Sequence, residues 1–185
     1  MVLEPIQTER GRRVLADIPS HPTPSQVYQC LMEAKGWPYR SKDPERLRRY
    51  LVRDRALVSL LYLIAPRISE ALHLTKSQFQ FNQSENRWEI IGIKLSKVKK
   101  IDPITGKAKP RVHTYRQEAW LPTMGDRSKF TDLVIEWYNI IQDKEGEVLF
   151  HFKTNERALQ IVGALTGMWN HYFRALGEKY LYRQW

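Results

Sequence analysis

Leu47, Tyr50, Leu51, Leu57, Val58, Leu61 and Ile64 recur at three- and four-residue spacing and predict one long helix. Asp43-Pro44-Glu45 opens it with a cap, a proline at the first position and an early acid, and Pro66 stops it. Asp54 falls on the same apolar stripe, so its carboxylate needs a partner: Arg53, Arg55 or a more distant arginine. A shorter helix precedes it, capped by Ser25 and running through Val27, Leu31 and Met32 to about Lys35, before Gly36 and Pro38.

Downstream the period changes from helical to alternating. Phe79 and Phe81, then Trp88, Ile90 and Ile91, flank the turn-rich Asn82-Gln83-Ser84-Glu85-Asn86 and predict a hairpin. A long basic arm with Pro103, Gly106 and Pro110 separates it from a third strand around Val112 to Leu121. Asp126 is positioned to cap a helix carrying Phe130, Leu133, Val134, Trp137 and Ile141. After the short apolar piece Val148-Leu149-Phe150, one last helix buries Ile161, Val162, Leu165, Trp169, Tyr172, Phe173 and Leu176 and closes at Gly177. The expected fold is α+β, mainly helical, with a small antiparallel three-stranded sheet. Residues 1–22, punctuated by Pro5, Pro19 and Pro22, read as a linker or arm, and residues 23–185 as one domain.

Composition supports a single core: 42% of the 185 residues are hydrophobic, and six tryptophans and nine tyrosines supply bulk. Cys30 is the only cysteine, which leaves no internal disulfide and no cysteine-based metal cluster. His73 lacks a second ligand at helical spacing and His113 lies in a basic strand, so no metal is expected. Phosphate-binding glycine motifs are lacking, and no cofactor is implied. With no cleavable leader pattern and no apolar run of membrane-spanning length, the expectation is a soluble protein of the reducing cytoplasm or nucleoid, without a membrane partner.

The net charge of +10 is concentrated. From Lys94 to Arg116, Lys94, Lys97, Lys99, Lys100, Lys107, Lys109, Arg111 and Arg116 face only Asp102, a net +7. Arg40 to Arg55 adds seven cations against three acids. Such clustering is the footprint of a polyanion partner, because each neutralised phosphate releases counterions.

One stretch adds chemistry to this picture. Leu60-Leu61-Tyr62-Leu63-Ile64-Ala65-Pro66-Arg67-Ile68-Ser69-Glu70-Ala71-Leu72-His73-Leu74, preceded by Arg53-Asp54-Arg55-Ala56-Leu57, resembles the first arginine box of tyrosine recombinases and phage-type integrases. Ile64-Ala65-Pro66 stands where Thr-Gly-Leu is usual in that family. The resemblance implies a recombinase catalytic-domain fold and double-stranded DNA as partner. It implies that Arg67 grips the scissile phosphate, for which a planar guanidinium is suited, with Glu70 orienting it. Spacing alone favours a surface arginine paired with Glu70, three residues later on the same turn; the resemblance reverses that.

Lys94-Leu95-Ser96-Lys97, after a strand ending Ile-Ile-Gly, resembles the family's hairpin lysine, which protonates the leaving 5′ oxygen; Lys94 is the first candidate and Lys97 the alternative. Lys97, Lys99, Lys100, Lys107, Lys109 and Arg111 are expected to hold DNA phosphates without reading sequence. In the family a tyrosine attacks the phosphate without a metal and forms a 3′-phosphotyrosine link. The literal H-x-x-R match is His171-Tyr172-Phe173-Arg174, which periodicity places on the polar side of the last helix. Alignment on that helix instead puts the family's second box, and its nucleophilic tyrosine, beyond Trp185.

These readings lead to a DNA-binding protein of site-specific recombination or integration, completed as a strand transferase by residues not in this chain and inactive alone. Self-association through an incompletely covered apolar face is expected. The rivals are a non-catalytic DNA-binding remnant or regulator of recombination sites, and a basic RNA-binding or structural module whose arginine box is coincidental.

Overall fold

The computed structural model describes residues 22–95, 114–141, 147–152, 154–168 and 170–182. In chain order these form α1 (Pro24–Glu33), α2 (Pro44–Ile64), α3 (Ile68–Ala71), a single 3₁₀ turn, β1 (Phe79–Asn82), β2 (Arg87–Leu95), β3 (Thr114–Leu121), α4 (Ser128–Ile140), α5 (Asn155–Thr166) and α6 (Asn170–Tyr182). The fold is mainly helical with one three-stranded antiparallel sheet, ordered β1-β2-β3.

α2 is the axis of the molecule. Its cap is the expected one: Asp43 accepts the Glu45 and Arg46 N–H groups at 3.0 and 3.3 Å, with Pro44 behind it. Its burial exceeds the single stripe that periodicity predicts, because every residue from Ala56 to Ile64 is buried. A helix that is apolar all round must be surrounded, and α4, α5 and α6 pack along it while β3 touches its side. α1 packs on α5, where Cys30 sits beneath the Leu165 and Thr166 carbonyls.

Three local expectations are corrected. Thr23, not Ser25, caps α1: Thr23 Oγ1 accepts from Gln26 N, and Gln26 Oε1 accepts from Thr23 N, a reciprocal box that leaves Pro24 at the first helical position. Asp126 does not cap α4; Arg127 holds that position in helical conformation with no side-chain cap, because the turn at Gly125 (φ +75°) has already set the chain's direction. The single last helix is two. α5 ends in a left-handed Gly167 (φ +66°), α6 begins at Asn170, and Gly177 lies inside α6 rather than at its end.

The hairpin forms as expected, its corner tied by Asn82 Oδ1 to the Ser84 and Glu85 N–H groups. Within β2, Ile90 and Ile93 are both buried although three residues apart, which strict alternation forbids. Gly92, at φ +71°, turns the strand between them.

A recurrent device closes the helices. Arg55 donates to the Leu31 and Met32 carbonyls at the end of α1 (3.2 and 2.6 Å), and Arg127 to Tyr62 and Leu63 at the end of α2 (3.2 and 2.8 Å). Lys76 donates to Ile141 at the end of α4 (3.1 Å). Cations at helix C-termini satisfy orphan carbonyls and oppose the dipole, so part of the positive charge belongs to the fold.

Candidate functional site

Arg67 stands at the end of α2. Ile64 is the last helical residue, Ala65 caps it in the left-handed region (φ +46°), and Pro66 keeps the chain from resuming helix until α3. Arg67 itself is extended (φ −67°, ψ 150°) and half-buried. Its backbone is held at both ends: Glu70 Oε2 accepts its N–H at 2.8 Å, and its carbonyl accepts from Glu70 N and Ala71 N at 2.9 and 3.0 Å. Glu70 is buried. It therefore orients Arg67 through the main chain.

Two further elements reach the same helix end. Arg127 is buried over the Tyr62 ring, 5.4 Å from its centroid, and caps the α2 carbonyls. α6 arrives beside it, with Phe173 5.6 Å from Tyr62 ring to ring. A Cβ on Gly177 would meet the Tyr62 carbonyl oxygen at 2.5 Å, so only glycine permits this approach. His171 lies exposed in the first turn of α6, and the half-buried Arg174 follows one turn later, its Nε 3.0 Å from Glu178. The H-x-x-R match thus keeps its polar side, as periodicity predicts, but opens a new helix rather than continuing a long one, and that helix meets α2 at Tyr62.

α3, which Arg67 precedes, also touches β2. In that strand Lys94 pairs in register with Tyr115 of β3, one residue beyond the buried Ile93. α3 and α6 thus both adjoin α2, and α3 touches β2, the strand that carries Lys94. Lys97, Lys99, Lys100, Lys107, Lys109 and Arg111 lie outside the described residues, as does Trp169.

Asp54 finds the partner its burial demands. Arg53 donates to its Oδ1 from Nε and Nη2 at 3.0 and 2.8 Å, and the Tyr39 hydroxyl donates to its Oδ2 at 2.6 Å. Arg53 also reaches Tyr39 Oη (2.6 Å) and the His151 carbonyl (3.3 Å), with Phe152 stacked 4.1 Å from its guanidinium. Burial pushes the Asp54 carboxyl up, against the pull of Arg53 and of the Tyr39 hydrogen bond. Burial and then the Asp54 carboxylate push the Tyr39 hydroxyl well above its ordinary value, so it remains a donor. This cluster is structural. It ties residues 39 and 151–152 to α2, and no spacing rule pointed to Tyr39.

Among the described residues no group of three metal-ligating side chains converges, and no helix is long and apolar enough to cross a membrane. No protein-family model, no curated protein and no solved structure matches this chain.

Proposed function

We propose that this protein binds double-stranded DNA and belongs to the chemistry of site-specific recombination or integration, with Arg67 gripping a backbone phosphate. The observation that carries the reading is the backbone clamp on Arg67. Its N–H is held by buried Glu70 and its carbonyl by the first turn of α3, directly after the left-handed Ala65. A half-buried guanidinium delivered from so fixed a backbone position loses little freedom on meeting a phosphate. His171 and Arg174, at the opening of α6, are the candidates for a second phosphate-gripping pair, and Lys94 for the proton donor to the leaving oxygen.

A second reading has its own support. All six tyrosines whose side chains are described are engaged by the protein itself. Tyr28 stacks on Phe130, Tyr39 binds Asp54, Tyr50 accepts from Arg46, Tyr138 packs on Trp88 beneath Lys76, and Tyr62 and Tyr172 are buried. None of these six is presented as a nucleophile. That favours a DNA-binding regulator or remnant that occupies recombination sites without cutting them.

Competition binding tests the shared claim, and trapping tests whether this chain cuts DNA by itself. A labelled duplex should be displaced by unlabelled duplex far better than by single-stranded RNA; the reverse order refutes DNA as the partner. Incubation with nicked duplexes, followed by denaturing electrophoresis, should give no protein-DNA adduct under either reading. An adduct that maps to a tyrosine establishes strand cleavage.

A further inference from the structure

The start of α2 carries a second basic surface, at the opposite end of the helix from Arg67. Of the seven cations between Arg40 and Arg55, Arg53 is taken up in the Asp54 cluster and Arg55 on the carbonyls of α1, while Arg46 donates to Tyr50 Oη and Arg49 lies 5.8 Å from the Trp137 ring centroid. Arg40, Lys42, Arg46, Arg48 and Arg49 are exposed. Two exposed acids accompany them, and one of these, Asp43, has its carboxylate engaged as the α2 cap. No residue from Pro44 to Val52 is buried, whereas Ala56 to Ile64 are wholly so. The first nine residues of the helix, roughly 13 Å at 1.5 Å per residue, therefore keep an exposed basic face, although Val52 packs against the core.

A groove of about 640 Å³ runs beside this surface between α2 and α4, with Val52 and Ile140 in it and Arg48 and Arg49 on its α2 wall. Glu136 lines the α4 wall. A carboxylate there opposes a small anion seated deep in the groove. It does not oppose an extended polyanion that crosses the exposed guanidinium groups, where charges are repeated rather than focused.

We propose that the Arg40–Arg49 surface is a second contact for the phosphate backbone of duplex DNA. The inference rests on the DNA-binding reading above and extends it to a stated place. From Arg48 to Ile64 the helix rises roughly 25 Å, which corresponds to about seven base pairs at 3.4 Å each. A duplex that reached both Arg67 and this surface would span at least that length of backbone. Such contacts position the protein on DNA without reading its sequence.

The test uses the full chain and a random-sequence duplex of two helical turns, with binding followed by fluorescence anisotropy across a salt series. The variant Arg48→Glu/Arg49→Glu should lose at least tenfold in affinity, and the slope of log affinity against log salt should shrink by about two. Its melting temperature should match the unmutated protein, since both side chains are exposed. Arg40→Gln/Lys42→Gln, outside the helix, serves as a second variant and should weaken binding in the same direction by severalfold. Unchanged affinity and slope in both variants, with duplex binding by the parent intact, overturns this proposal and leaves the DNA reading standing. Absence of salt-dependent duplex binding by the parent overturns both. Duplex affinity retained while binding to phosphatidylserine vesicles is lost overturns it in favour of a lipid surface.

Discussion

Gly177 and the carbonyl of Tyr62 touch backbone to backbone: a Cβ at residue 177 would lie 2.5 Å from the Tyr62 oxygen and 3.2 Å from its carbon. α6, which carries His171 and Arg174 in its first turns, is thereby set against the end of α2. In an exposed helix interior, alanine would outperform glycine by about 1 kcal/mol. Here the contact reverses the sign. Gly177→Ala should lower stability by about 1–3 kcal/mol, the usual range for overpacking, read by thermal unfolding, and duplex affinity should fall with it as α6 shifts.

Tyr39→Phe removes the hydroxyl that donates to Asp54 and accepts from Arg53, and leaves a buried carboxylate oxygen short of a donor. The expected cost is about 1–3 kcal/mol, measured by denaturant unfolding at neutral pH. The variant should also change the alkaline limb. In the folded protein Tyr39 holds its proton past the ordinary tyrosine value of 10.0, whereas the unfolded chain releases it near there. The folded state then binds more protons than the unfolded one, so stability falls as pH rises above 10. That component of the decline should be absent from Tyr39→Phe.

Arg127→Met separates structural from ligand-facing charge. Arg127 is buried and donates to two α2 carbonyls, so its loss should cost about 1.5–3 kcal/mol, as for hydrogen bonds from a charged group. Where the variant is folded, the salt dependence of duplex binding should match the parent. A reduced salt slope would mean that Arg127 meets phosphate.

Ser59 presents the opposite case. Its hydroxyl is buried in α2 with no hydrogen-bond partner among the described residues. Ser59→Ala should therefore hold or raise the melting temperature, because an unpaired polar group leaves the core and a better helix former enters.

Glycine shows how far the sequence is legible here. Gly167 and Gly177 sit in one continuous 3.6-residue apolar pattern, because α5 and α6 bury their residues in the same core and the period runs on across the break. An isolated glycine in such a pattern can end a helix or admit a close neighbour. Gly167, with positive φ, does the first, and Gly177 the second. Composition does not distinguish them; the backbone conformation and the neighbouring chain do. The consequence reaches the site, since His171 and Arg174 change from the flank of a long helix to the first turns of a new one.

Charge was legible in amount but not in use. Arg53, Arg55, Lys76 and Arg127 carry the same formal charge as Arg48 and Arg49, yet each is directed at a carboxylate or a helix carbonyl of its own chain. Asp54 could be recognised as needing a partner from its place on the apolar stripe. Its neighbour Arg53 was among the choices, while Tyr39 comes from a loop whose position only packing determines. The start of α2 and its stop at Pro66 were the most readable features, because Asp-Pro and a helix-breaking proline restrict the backbone locally, whereas the left-handed Ala65 was not foreseen.

The most direct test of the central claim compares Arg67→Ala and Arg67→Lys with the parent in duplex binding at fixed salt, each checked for an unchanged melting temperature. If Arg67 grips a phosphate through its guanidinium, the alanine variant should lose about tenfold or more in affinity, in keeping with a charge-assisted hydrogen bond of roughly 1.5–3 kcal/mol. The lysine variant should recover only part of it, since an ammonium restores the charge but not the fork. Equal affinities for all three folded proteins would contradict the account.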